Sequence, residues 1–202
     1  MSLAAMLADT NTEIGEIAKW LDGQPHAARK DAVFSLDRAG QRALYERAEG
    51  ASLDADYFAP AALGPLRPVV HFGRNTLPLP GSQKLFKKVF ARSASAEAPP
   101  FGYNDAPSGW IIGPGYFVVV PTAGNAEWER RGPVVVDYFR VPPGPVPAGW
   151  PEVVPNDHGI QFFVYHQTRD YMRRVSQDIT IGAAYKGEKA LGHFFVLVRE
   201  EI

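Results

Sequence analysis

The sequence predicts an α+β protein in which N-terminal helices pack on a curved antiparallel β-sheet, a half-barrel of five or six strands. Three observations predict it. Apolar residues in the first third recur at helical spacing. After Pro60, Pro65 and Pro68, β-branched and aromatic residues gather in short runs. The chain then closes on two alternating segments joined by Lys186-Gly187-Glu188, the clearest hairpin pattern present. Short strands that follow one another through turns favour antiparallel pairing. The division that follows is a helical subdomain over residues 1–60 and a sheet domain with inserted helices over 61–202, built as one continuous fold.

Each element has its own justification. Thr10-Asn11-Thr12-Glu13 carries the spacing of a capping box, in which a hydroxyl and a carboxylate satisfy amides left free at a helix start. Ile14, Ile17, Ala18 and Leu21 then share one face, and Asp22-Gly23 and Pro25 stop the helix. Pro25 suits the first turn of a second helix, about His26–Ser35. Asp37 caps a third, with Leu44, Tyr45 and Ala48 inward and Gly50 closing it. A short fourth helix is expected near Leu53–Phe58.

Val69–Phe72 reads as a strand. Ser82–Arg92 reads as an amphipathic helix, Leu85, Phe86, Val89 and Phe90 inward and Lys84, Lys87, Lys88 and Arg92 in water. Trp110–Ile112 and Tyr116–Pro121 flank Gly113-Pro114-Gly115, a tight reversal whose glycines can take positive φ. Val134–Val141 alternates, with Val134, Val136 and Tyr138 on one face and Asp137 and Phe139 on the other. The six prolines between Pro142 and Pro155 describe an extended surface connection. Ile160–Ser176 reads as a helix because Val164, Thr168, Tyr171 and Val175 share a face, although its start, Gln161–His166, also suits a strand. Ile179–Tyr185 and Leu191–Arg199 form the terminal hairpin. The last strand is apolar on both faces, which places it inside the sheet and not at an edge.

Composition excludes more than it assigns. The 202 residues suit one domain, with 46% hydrophobic and 21% charged residues. A net charge of −1, from 21 basic and 22 acidic residues, argues against nucleic acid as a partner. The absence of cysteine removes thiolate metal sites, iron–sulfur clusters, disulfides and thiol catalysis. The apolar runs are too short to cross a bilayer, and residues 1–12 make a poor signal peptide, so a cytoplasmic protein without membrane contact is expected.

No motif names a reaction. His26, His71, His158, His166 and His193 form neither H-x-H nor H-E-x-x-H, so no metal site is expected. No serine sits in a G-x-S-x-G elbow, and no glycine-rich phosphate loop precedes a helix. No cofactor is implied. The leading expectation is a binding protein for a small hydrophobic or anionic ligand, held in an aromatic-lined cavity of the sheet. Tyr138, Arg140, Tyr185 and Arg169 are its candidate polar anchors, since an apolar pocket with a few polar groups is how small-molecule sites are built. Arg169, Arg173 and Arg174 can also clamp an anion. Two alternatives stand beside it. One is an enzyme using His71 or His166 as general base with Asp105 nearby. The other is an interaction module docking through its N-terminal helices or the basic segment Ser82–Arg92.

Overall fold

A computed structural model describes residues 2–106 and 113–202. Eight strands form the body: β1 (Val69–Asn75), β2 (Leu85–Ala91), β3 (Phe101–Asp105), β4 (Phe117–Pro121), β5 (Val134–Asp137), β6 (Thr168–Arg174), β7 (Ile179–Lys186) and β8 (Lys189–Arg199). Each pairs antiparallel with the next, and β8 returns to β1, so the sheet closes into a barrel. The expected half-barrel of five or six strands is therefore overturned.

Two of the eight strands lie in segments whose spacing reads as helical. Ser82–Arg92 is a short 3₁₀ turn followed by β2, which pairs with β1 at Val70↔Val89 and with β3 at Val89↔Tyr103. Its inward residues are Phe86, Lys88 and Phe90, spaced by two; Lys88 in the middle breaks the apolar alternation that would mark a strand. Within Ile160–Ser176, Thr168–Arg174 is β6, with Asp170 and Met172 inward, and only Gln161–Val164 is helical. The fourth helix is a 3₁₀ turn at Ala55–Tyr57. The alternation from Val134 ends as a strand at Asp137. Trp110–Ile112 lies outside the described residues.

The first three expected helices are present as α2 (Ile14–Asp22), α3 (His26–Phe34) and α4 (Arg38–Arg47), and α1 (Leu3–Ala8), which the sequence does not indicate, precedes them. The α2 capping box uses Glu13 and Glu16, and Asp37 caps α4 by accepting from the Gly40 amide. Leu3, Met6, Ile17, Leu21, Val33 and Leu44 then pack against Ile179, Ile181, Val196 and Val198 on the outer face of β7 and β8. Inside the barrel lies a second core, including Phe90, Phe117, Val119, Val136, Met172, Phe195 and Leu197. β8 separates the two, which is why both of its faces are apolar. Among the described residues, two further helices are α5 (Ala126–Arg131) and α6 (Gln161–Val164). No helix among the described residues is long and apolar enough to cross a membrane.

The two barrel ends differ. At one, Tyr57, Phe58 and Ala59 fill the interior below Phe90. At the other gather the connection 76–84, residues 113–116 and the connection 138–167. The proline-rich part of the last runs along the outside, where Trp150 packs on Phe101 and Tyr103 and the Tyr116 hydroxyl donates to the Pro151 carbonyl.

Candidate functional site

Inward positions of a closed barrel are expected to be apolar, since a buried polar group without a partner is costly. Among the exceptions to that rule four stand together, while His71 of β1, also inward, lies apart from them beside Phe58 and Phe90. Lys88 of β2, Asn104 of β3, Tyr138 just past β5 and Asp170 of β6 meet near the end covered by α6. The Lys88 ammonium lies 3.1 Å from Asp170 Oδ2 and donates to Asn104 Oδ1 at 2.9 Å and to the Tyr138 hydroxyl. The Tyr138 hydroxyl donates to Asp170 Oδ2 at 3.3 Å, and Asn104 Nδ2 donates to it at 3.0 Å and to the Gly115 carbonyl at 3.1 Å. All three donors of the ammonium are thereby used.

The surroundings are aromatic. The Lys88 nitrogen sits over the rings of Phe117, Tyr138 and Phe195 at 5.0, 4.9 and 5.1 Å, within cation–π range. Burial pushes the Lys88 ammonium down, against the support of Asp170. It pushes the Asp170 carboxyl up, against the pull of Lys88, and the Tyr138 phenol well above its ordinary value. Each charge is tolerated here because the other is present.

The lid over this network is small. The Tyr165 ring, just past α6, stacks on Tyr138 with centroids 5.3 Å apart and planes 11° apart. Gln161 Oε1 accepts from the Gly115 amide at 2.9 Å. Gly113 and Gly115 make these seats: a Cβ on Gly113 would strike the Gln161 side chain, and one on Gly115 would meet the Tyr165 ring. Both have positive φ, as the sequence suggests. Asn156 fixes the neighbouring chain, its Nδ2 donating to the carbonyls of Tyr116 and Tyr138 at 2.7 and 2.8 Å.

Of the anchors proposed from sequence, Tyr138 alone faces the interior. Arg140 lies past the end of β5, where the alternation no longer holds, and turns back to Asp137 at 3.3 Å. Arg169 and Tyr185 are on the outer face. Arg169 lies against Phe139 and Trp128 and 3.4 Å from both Asp137 and Glu188. Tyr185 packs edge-on against Tyr171 beneath the Arg131 guanidinium. Arg173 donates to the carbonyls of Tyr45, Arg130 and Arg131, and Arg174 to that of Ser176, so the three arginines do not converge on an anion.

The candidate bases are likewise apart. His71 is fully buried beside Phe58 and Phe90, its Nε2 3.1 Å from the Phe58 carbonyl oxygen, and burial pushes its pKa down to about 3. His166 stacks on Phe162. Asp105 faces outward, 3.5 Å from Lys87. With Ser82–Arg92 a strand and Lys88 inside, the basic docking helix does not exist.

The sequence places Lys88 on a water-facing basic helix, whereas the side chain is buried in the barrel, and names neither Asn104 nor Asp170 as a site residue. A signal was available: Phe86-x-Lys88-x-Phe90 and Asp170-x-Met172 each place a charge at a core position once read with period two. No known protein family, curated protein or solved structure matches this chain.

Proposed function

We propose that the protein is a small-molecule-binding barrel whose ligand enters beside Tyr165 and presents a polar group to Tyr138, Asp170 and Lys88. One observation carries the reading: four hydrogen-bonded polar side chains stand inside an aromatic-walled barrel, at the end where the four-residue α6 and Tyr165 lie over them. A fold gains nothing in stability from a buried ion pair that apolar residues would not give it, so such a group calls for a use. Displacing the Tyr165 ring opens a flat space over Tyr138, which suits an aromatic ring or a short alkyl segment bearing a polar end.

Thermal-shift measurements with p-cresol, benzoate, indole and decanoate test this. A probe at about one hundred times its Kd adds roughly 2.7 kcal/mol to stability. The expected result is a rise in Tm with at least one probe, lost in Tyr138→Phe and enhanced in Tyr165→Ala, which vacates the space. If Tyr165→Ala folds and binds none of the four, the reading fails.

A further inference from the structure

A lysine amine, an asparagine carboxamide and a carboxyl group meet inside the barrel with water excluded. Lys88 and Asn104 are direct cross-strand partners on β2 and β3. Nζ of Lys88 lies 2.9 Å from Oδ1 of Asn104 and 3.1 Å from Oδ2 of Asp170. The Tyr138 hydroxyl is within reach of both ends of the carboxamide, 3.2 Å from Oδ1 and 3.0 Å from Nδ2. The side chains of Lys88 and Asp170 are 3% and 7% exposed. A nucleophile, an acyl carbon, a proton carrier and a hydrogen-bond donor beside the carbonyl oxygen are the components of acyl transfer. We propose that Lys88 and Asn104 join spontaneously in an intramolecular isopeptide bond, with Asp170 carrying the proton and Tyr138 supporting the oxyanion.

The step balances without an added reagent. Asp170 takes one proton from the ammonium, leaving an amine and a neutral acid; burial favours this exchange by pushing the lysine down and the carboxyl up. The amine nitrogen attacks Cγ of Asn104, and the Tyr138 hydroxyl meets the charge that develops on Oδ1. Asp170 hands its proton to Nδ2 and receives one from Nζ. The Cγ–Nδ2 bond breaks and ammonia leaves. One amide N–H remains on Nζ, and Asp170 ends as the neutral acid. The reaction thus replaces a buried ion pair by neutral groups, which removes the desolvation cost of both charges. Holding the groups in contact supplies the effective concentration that amide exchange in water lacks.

This bond goes beyond the ligand reading and does not depend on it, because the measurement uses the full chain with no probe added. The denatured wild-type protein is expected to weigh less than its sequence by one ammonia, about 17 Da, the leaving group of acyl transfer from a carboxamide. Proteolysis should release a branched peptide joining the segments that carry Lys88 and Asn104. Lys88→Arg and Asp170→Asn should both show the full sequence mass. Lys88→Arg keeps a cation facing Asp170, so it remains informative where the second variant fails to fold. A wild-type sample that unfolds cooperatively and has the full sequence mass overturns the proposal. So does an ammonia loss confined to a linear peptide, since Asn104 can close on the Asp105 amide as a succinimide. Mild alkali opens a succinimide and leaves an isopeptide bond intact.

Discussion

Lys88 and Asp170 are each costly to bury alone, and the cost of separating them sets two expectations at the scale of single residues. Lys88→Met leaves Asp170 facing neither a cation nor an amide N–H, and at pH 7 it should lose about 3–5 kcal/mol, the usual penalty for leaving a buried carboxylate without its partner. Burial raises the folded-state pKa of Asp170 above its unfolded value. In this variant the carboxyl is therefore tolerated while protonated, and stability falls as pH rises from about 4 through the folded pKa. Urea unfolding should show the deficit shrinking towards pH 4, and Lys88→Met with Asp170→Leu should recover most of it. A deficit equal at pH 4 and pH 7 would mean that Asp170 is not buried as described. His71 has the opposite sign. Its folded pKa is pushed down to about 3 by burial, below the unfolded value. Its contribution is present above about pH 6.5 and is lost as pH falls towards the folded pKa, by roughly 1.4 kcal/mol per unit. His71→Gln, which keeps a donor for the Phe58 carbonyl, should flatten that acid limb. An unchanged pH profile would place the imidazole in water.

Among the elements, β8 and β3 carry the strictest packing. β8 puts Phe195 and Leu197 into the barrel and Val196 and Val198 under the helices. Phe195 also packs edge-on against Phe86 and covers Gly182. Phe195→Ala should cost about 3–5 kcal/mol by urea unfolding, the range for a buried aromatic. A change below about 1 kcal/mol, far under that range, would mean the strand is elsewhere. In β3, a Cβ on Gly102 would strike the Val89 carbonyl and the Phe117 ring, so β2 and β3 approach closely only because this residue is glycine. Gly102→Ala should increase amide hydrogen exchange in β2 and β3 well before β6 and β7. Uniform exchange across the barrel would contradict that local origin.

For the whole molecule, the helices and the barrel share a core. Ile17, Leu21, Val33 and Leu44 share one buried cluster with Ile179, Ile181, Val196 and Val198 on the outer face of β7 and β8. We propose that residues 1–60 and 61–202 unfold together. Calorimetry should give one transition whose calorimetric and van't Hoff enthalpies agree. Two transitions would show independent units. A chain lacking residues 1–50 should expose Ile179, Ile181, Val196 and Val198 as a continuous apolar patch and bind a hydrophobic dye strongly.

Local pattern alone specifies helices α2 to α4, strands within Tyr116–Pro121 and Val134–Val141, and the terminal hairpin. In these segments the local signals agree: a cap at Asp37, period-two alternation and a glycine turn at Lys186–Glu188; the α2 capping box alone is shifted, from Thr10 and Glu13 to Glu13 and Glu16. The strand character of Leu85–Ala91 and Thr168–Arg174, the closure from β8 to β1, and the site itself were decided only in three dimensions. Leu85, Phe86, Val89 and Phe90 satisfy a helical stripe as well as a strand with two buried faces, and closing the sheet on both sides of β2 resolves that degeneracy. Lys88 and Asp170, 82 positions apart by their numbering, look like solvated charges because their partners are named nowhere nearby in the chain. Each becomes tolerable inside the barrel through the other, with Asn104 and Tyr138 saturating what remains. A local pattern can report which face of a segment is apolar, but not which distant segment will neutralise the exception.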